Sequence, residues 1–270
     1  MPGVKSAIAV QNLTKKFEDG VLAVDNITFS VPQGEIFAFL GPNGAGKSTT
    51  IKMLTTLRQP TSGTMLLHDT DPLKDQLTAR RTFGIVFQDP SLDDELTAYE
   101  NLNMHGILYG VEKKLRRQRI EELLSFVELW DRRGSLIKTF SGGMKRRIEI
   151  ARGLMHHPSI FFLDEPTIGL DPQTRNHIWE YIVKLNKSEG ITIFFTTHYM
   201  EEAERVAARV AVIDHGKIIA IGSPDELKQQ TKTTTLEDAF LNLTGRNIRE
   251  EDASNLDRLR LHRQMRGGRR

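Results

Sequence analysis

The chain has 270 residues, 27% of them charged, a formal net charge of +2 and no cysteine. A chain of this length buries roughly three quarters of its unfolded surface without covalent staples, and its charge balance lacks the strongly basic signature of a nucleic-acid binder. The lack of cysteine fits a reducing compartment, no apolar run approaches the ~20 residues of a spanning helix, and "MPGVKSAIAVQNLTKKF" lacks the apolar centre of a signal peptide. The chain is therefore expected to be soluble and intracellular, with any membrane part supplied by another protein.

Residues 6–13 and 21–31 read as strands, the second through the alternation in "VDNITFSV". Pro32 and Gly34 turn the chain toward the next strand. Four short runs are almost continuously apolar: "IFAFL" (36–40), "GIVF" (84–87), "IFFL" (160–163) and "ITIFFTT" (191–197). That is the pattern of parallel strands covered on both faces. Helices are expected at 47–57, in two pieces across 97–128, at 142–155 and at 173–187. Ile120, Leu123, Leu124 and Val127 make a helical stripe. The alternation of strand and helix predicts a doubly wound α/β core, with a mainly helical segment at about 89–156 set into it. After residue 225 the pattern weakens. "TTTLEDAFLNLTG" is expected to hold one more helix, at 236–244, and residues 246–270, ending in "RGGRR", to form a mobile basic tail.

"GPNGAGKS", from Gly41 to Ser48, fits the phosphate-loop pattern G-x-x-x-x-G-K-[ST]. Gly41, Gly44 and Gly46 let the backbone bend and turn its N–H groups inward. The helix that opens here adds its positive end. Lys47 would reach the β- and γ-phosphates of a nucleotide, and Ser48 would ligate Mg2+. This gives a ligand to "IFFLDEPTIGLD" (160–171), where two acids directly follow an apolar strand. Asp164 would hold the same Mg2+ and Glu165 would deprotonate the attacking water, although two acids there also suit a turn that caps the next helix. Asp171 fits such a cap better, with Pro172 at the first helical position.

Each apolar run ends in polar residues: the phosphate loop, Gln88, Asp164 with Glu165, and His198. In an open parallel sheet ligands lie beyond the carboxyl ends of the strands, so the four ends should converge. Alone, His198 would be an incidental loop histidine.

With "SGGMKRR" (141–147) in place, the chain resembles the nucleotide-binding domain of ATP-binding cassette (ABC) transporters over about residues 6–224. The motifs are "GPNGAGKST", Gln88, "FSGGMK", "FFLDEP", "GLD" and His198, in order. The resemblance implies an α/β P-loop NTPase core with a mainly parallel sheet, an N-terminal antiparallel β-subdomain and an inserted α-helical subdomain. It implies an ATPase domain over 1–225 and a C-terminal extension over 226–270. ATP would contact Phe17, Asn43, Gly44, Ala45, Gly46, Lys47, Ser48 and Thr49. Ser141, Gly142 and Gly143 would close over the nucleotide held by a second such domain, in a homo- or heterodimer. Mg2+ would be held by Ser48, Gln88 and Asp164; Glu165, His198, Lys47 and Gln88 would serve catalysis. Phe17 would stack on adenine, worth about 1–3 kcal/mol, or else be a core aromatic at a strand end. Met144 stands where the family commonly has glutamine and Phe140 where it has leucine, so no ribose contact is assigned to Met144.

"VFQDPSLDDELTAYENL" and "LEDAFLNLTG" look like the drug-resistance type of exporter ATPase, which pairs with a separate integral-membrane permease. This implies a peripheral protein on the cytoplasmic face of the cell membrane. Segment 89–110, with Asp93 and Asp94, is the expected docking surface. ABC ATPases of DNA repair insert a long coiled coil between the two phosphate motifs. The interval from Lys47 to Ser141 shows no sustained heptads. Ribosome-acting relatives carry two cassettes, and here there is one. The basic run "KKLRRQR" (113–119) reads as a solvated helix face or as a nucleic-acid contact, and no nucleic-acid partner is expected.

Overall fold

The computed structural model describes residues 5–245; the tail expected at 246–270 lies outside the described residues. Two sheets form. The smaller is antiparallel, in the order β2-β1-β4, from β1 (Ser6–Lys16), β2 (Leu22–Pro32) and β4 (Ser62–Leu67). The larger has the order β5-β6-β7-β3-β8-β9. It holds β3 (Ile36–Leu40), β5 (Phe83–Val86), β6 (Ile160–Asp164), β7 (Thr192–Thr197), β8 (Arg209–Asp214) and β9 (Lys217–Gly222). β3, β5, β6, β7 and β8 run parallel, and β9 joins the edge antiparallel through a tight hairpin.

The continuous apolar runs are explained by burial on both faces: every residue of β3, β6 and β7 is buried. Phe29, Phe37, Phe39, Phe162 and Phe194 fill the space between the two sheets, and the Phe29 and Phe37 rings stack with centroids 5.8 Å apart. The opposite face is covered by α6 (Pro172–Glu189) and α7 (Met200–Val206), with Trp179 against Phe195 at 4.5 Å.

Between β5 and β6 lie α3 (Ala98–Leu108), α4 (Lys113–Phe126) and α5 (Gly142–Gly153). They share an apolar cluster of their own, including Leu102, Ile120, Leu124, Ile148 and Met155. α1 (Lys47–Leu54) follows β3; α8 (Pro224–Thr231) and α9 (Leu236–Thr244) close the described chain. The helix expected at 236–244 is α9. Besides α7, β8 and β9, which carried no expectation, four features depart from it. β1 continues to Lys16 because Asn12 at φ 50 breaks the alternation without ending the strand. β4, α2 (Gln76–Thr82) and α8 are too short to show a period of their own.

Candidate functional site

The parallel strands deliver their carboxyl ends to one place. Gly41 leaves β3 so close to β8 that a Cβ would lie 2.4 Å from the Ile213 carbonyl oxygen. Gly46 has φ 105, and a Cβ there would lie 2.4 Å from the Ala23 oxygen. Only glycine fits either position. Asn43 and Gly44 are exposed, Ala45 is buried beneath them, and Ser48 and Thr49 are half-buried. α1 starts without a side-chain cap, so its first N–H groups have no partner within the helix and carry its positive end.

Lys47 is buried and donates to the carbonyls of Gly41 (2.8 Å) and Pro42 (3.1 Å). Its ammonium also pairs with Glu165 Oε1 at 3.1 Å. The other Glu165 oxygen faces His198 Nδ1 at 3.1 Å. A carboxylate only accepts, so Nδ1 carries the proton. Glu165 itself sits at φ 47, a left-handed backbone for a residue with a long side chain. Its N–H donates to the carbonyl (3.2 Å) and hydroxyl (3.0 Å) oxygens of Thr196.

Asp164 Oδ1 accepts from Thr196 Oγ1 at 2.6 Å and from Ser48 Oγ at 3.1 Å. Burial pushes the Asp164 carboxyl up from its ordinary range, against the pull of these two hydroxyls. No cation forms an ion pair with it among the described residues. A buried carboxylate beside a hydroxyl is an all-oxygen donor set suited to a hard divalent ion. Mg2+ takes few protein ligands when phosphates complete its shell, so the pair fits it. Gln88, the third expected ligand, has an exposed side chain that makes no hydrogen bond within the described residues. Its carbonyl, not its amide, is held, by Arg146 at 3.2 Å.

Arg146 is a residue the sequence reading missed. Its buried guanidinium donates to Phe87 O (2.5 Å), Gln88 O (3.2 Å) and Glu165 O (3.4 Å), and pairs with Glu149 at 3.1 Å. Glu149 accepts from the Ser91 N–H at 2.8 Å, and Arg152 donates to Ser91 O at 2.6 Å. One face of α5 thus clamps the segment after β5. The signal was the spacing R-x-x-E-x-x-R. Glu202 was missed as well. It is buried and accepts from the hydroxyls of Thr167 and Thr197, which fixes the backbone on either side of the Glu165–His198 pair.

The remaining expected contacts lie apart. Phe17 is half-buried in the turn after β1, with the Arg58 guanidinium 4.8 Å from its ring centre. It belongs to none of the apolar clusters, so it is not a core aromatic. Ser141 caps α5, accepting from Met144 N at 3.3 Å. Ser141 and Gly142 are exposed, and Gly143 packs against Thr174 of α6. No hydrogen bond or ion pair joins Ser141–Gly143 to Lys47, Ser48, Asp164 or Glu165. The chain therefore offers two separate helix N-termini, each open to solvent. Asp171 caps α6 as expected, accepting from Thr174 N at 2.9 Å.

The family profile described as ABC transporter matches residues 24–168. The chain belongs to the ABC transporter family. This ABC ATPase is 44% identical, over 85% of its length and 69% of the relative's, to the daunorubicin/doxorubicin resistance ATP-binding protein DrrA of Streptomyces peucetius. It is 44% identical, over 82% of its length and 70% of the relative's, to the linearmycin resistance ATP-binding protein LnrL of Bacillus subtilis. Among solved structures it resembles an ATP-binding subunit of an ABC transporter (TM-score 0.81, 30% identity, 89% of this chain and 100% of the other). It also resembles a dimeric ATP-binding cassette in a post-hydrolysis state bound to ADP and Pi (TM-score 0.71, 30% identity, 80% and 98%). ATP is the substrate that the family implies, and its hydrolysis is the activity.

Proposed function

We propose that this ABC ATPase is the motor subunit of a drug-resistance-type exporter, acting on the cytoplasmic face of the membrane beside a separate permease. The single observation that carries the catalytic part is the chain Lys47–Glu165–His198. Glu165 pairs with Lys47 and is steadied by His198. Phosphate oxygens at the α1 N-terminus would take over Lys47, leaving Glu165 free to accept a proton from water. His198 keeps that carboxylate oriented. Ser48 and Asp164 would hold Mg2+, which neutralises charge on the phosphates. Asn43, Gly44, Ala45, Gly46 and Thr49 line the same loop, and Phe17 offers a face to the base. Ser141 and Gly142 are exposed, with Gly143 behind them against Thr174, so their phosphate contact would belong to the site of a second copy or a second cassette.

The permease docking region falls on a cleft between α3 and the core. A cavity of about 250 Å3 lies there, lined by Leu57, Arg80, Phe87, His105, Tyr109 and His156. It adjoins the segment that leads to Gln88. Asp93 and Asp94, in the segment expected to dock, also have contacts within the helical segment. Asp94 pairs with Lys145 of α5 at 2.7 Å, and Asp93 accepts from Glu95 N at 2.9 Å. Tagged protein recovered from detergent-solubilised membranes of its source cell should bring a polytopic membrane protein, and turnover of the pair should respond to the exported compound. Recovery without any membrane protein, with compound-insensitive turnover, would count against the exporter reading.

A further inference from the structure

We propose that the tip formed by the end of α3 and the start of α4 rests on the anionic surface of a lipid bilayer. Leu108 is 74% exposed, Ile107 54% and Leu115 40%. Side chains so open add little to folding. The packing between α3 and α4 is made instead by Leu102, Ile120 and Leu124, all buried. Interleaved with the exposed leucines are Lys113, Lys114 and Arg117, also exposed and without an ion-pair partner among the described residues. Three acids lie nearby and keep their charge: Glu112, which caps α4 by accepting from Lys114 N and Leu115 N, Glu121, and Glu122, which receives a hydrogen bond from Gln118. Against them stand five cations, Lys113, Lys114, Arg116, Arg117 and Arg119, so the stretch 112–122 stays net positive.

The tip is braced. Arg116 turns inward to Asn103 Oδ1 (2.8 Å) and Val111 O (2.7 Å), and Val111 N donates to Gly106 O at 2.8 Å. The patch is therefore presented ready-made, with no segment to order on contact. Protruding leucines among unpaired cations on flexible stems are the chemistry of an interfacial surface, where the stems bury their methylenes and the charges stay at headgroup level. A protein partner of α3 has the cleft on the other side of the helix, where His105 and Tyr109 point. The run "KKLRRQR", read from the sequence as a solvated face or a nucleic-acid contact, thus gains a third partner. The contact is adsorption, not insertion, and it supplements the permease.

Vesicle co-sedimentation of the full-length chain tests this without permease or nucleotide, so its failure leaves the ATPase reading untouched. Vesicles of equal parts phosphatidylcholine and phosphatidylglycerol should retain the protein, and phosphatidylcholine alone should not. At about a fivefold effect per cation near an anionic surface, three cations give roughly a hundredfold preference, lost at high salt. Lys113→Glu/Lys114→Glu/Arg117→Glu should remove the preference. Leu108→Ser/Leu115→Ser should weaken retention at low salt. ATP binding should be unchanged in both. The basic sequence at 246–270 is the same in all proteins, so the difference reads the tip alone. Equal retention by parent and charge variant would overturn the proposal. Weakened co-purification of a permease with no vesicle binding would overturn it in favour of a protein contact. Retention on RNA without vesicle binding would do so in favour of nucleic acid.

Discussion

Glu165→Gln tests the Lys47–Glu165–His198 arrangement most directly. In the parent, Lys47 and Glu165 lie 3.1 Å apart with side chains only 4% and 7% exposed. At an effective dielectric of about 20 their direct attraction is about 5 kcal/mol, much of it cancelled by desolvation. Removing one charge from such a pair typically costs about 3–5 kcal/mol, because the other stays buried. Here the Lys47 ammonium keeps the Gly41 and Pro42 carbonyls and the glutamine amide oxygen. The cost should fall below that range, at about 2 kcal/mol. With about 2–4 °C per kcal/mol for a chain of this size, the nucleotide-free variant should melt roughly 4–8 °C lower. MgATP should more than restore it, since phosphate replaces the lost charge. ATP no longer has to displace a carboxylate, so affinity should rise by up to about 30-fold. Hydrolysis should fall by about 10²–10⁴ with the general base gone, and the ATP-bound dimer should persist. Thermal melts with and without MgATP, paired with phosphate release, read all of these. An unchanged melting temperature without nucleotide, or turnover within about tenfold of the parent, would refute the reasoning.

Catalysis across two chains predicts that mixing Lys47→Ala with Ser141→Arg protein restores part of the ATPase activity, because one composite site keeps both residues; hydrolysis by a strictly monomeric parent would exclude it. Arg146→Met should destabilise by about 3–5 kcal/mol by stranding Glu149, and Arg146→Met/Glu149→Met should recover most of that in urea melts while turnover stays low. His105 is held at about 3, mainly by burial, with Arg152 and His156 adding to it. The unfolded chain takes up that proton near the ordinary 6.5, so stability present above that pH is lost as the pH falls toward 3. One such group contributes at most about 1.4 kcal/mol per pH unit. His105→Phe, which keeps a ring beside Tyr109, should flatten the acid limb, and an unaltered slope in urea melts would refute it.

The site was legible where its chemistry is local. The phosphate loop, Asp164, Glu165 and His198 each follow directly on an apolar strand, and strand ends of a parallel sheet must converge. Lys47, Glu165 and His198 form one set of contacts and Ser48 and Asp164 another, and Thr196 joins the two. What the sequence hid depends on packing between distant segments. R-x-x-E-x-x-R on α5 has the spacing of an exposed helix face. Only the return of residues 87–91 against it buries Arg146 and Glu149. Nothing local in the sequence points to the partners of Asp93 and Asp94, which lie across a turn and on another helix. β8 and β9 carry no strand expectation, since a hairpin turned by His215 and Gly216, both at positive φ, interrupts the pattern. Phe17 was placed between two roles by its position at a strand end. Its exposure, a property of the surrounding turn, removes one of them.

If a second chain's nucleotide engages Ser141, the α5 clamp gives that contact a route to Glu165. Ser141 opens α5 and faces outward, with no bond to its own chain's phosphate loop. Little more than a turn further along, Arg146 holds the Gln88 carbonyl and the Glu165 carbonyl at once. Glu165 is already at a left-handed φ, a conformation that persists only while its surroundings enforce it. A small shift of α5 therefore cannot leave Glu165 untouched. It changes one of the bonds that keep the carboxylate between Lys47 and His198. A ligand that engages Ser141 from outside would thus act on Glu165 through one rigid helix and one buried guanidinium. Lysine at position 146 would keep the charge but lose the fork that reaches several acceptors together. Arg146→Lys should therefore fold, bind ATP and still uncouple: its turnover should stop depending on the second chain's Ser141. If Arg146→Lys hydrolyses ATP as the parent does, with the same sensitivity to Ser141→Arg in the partner, the guanidinium is only a structural strut.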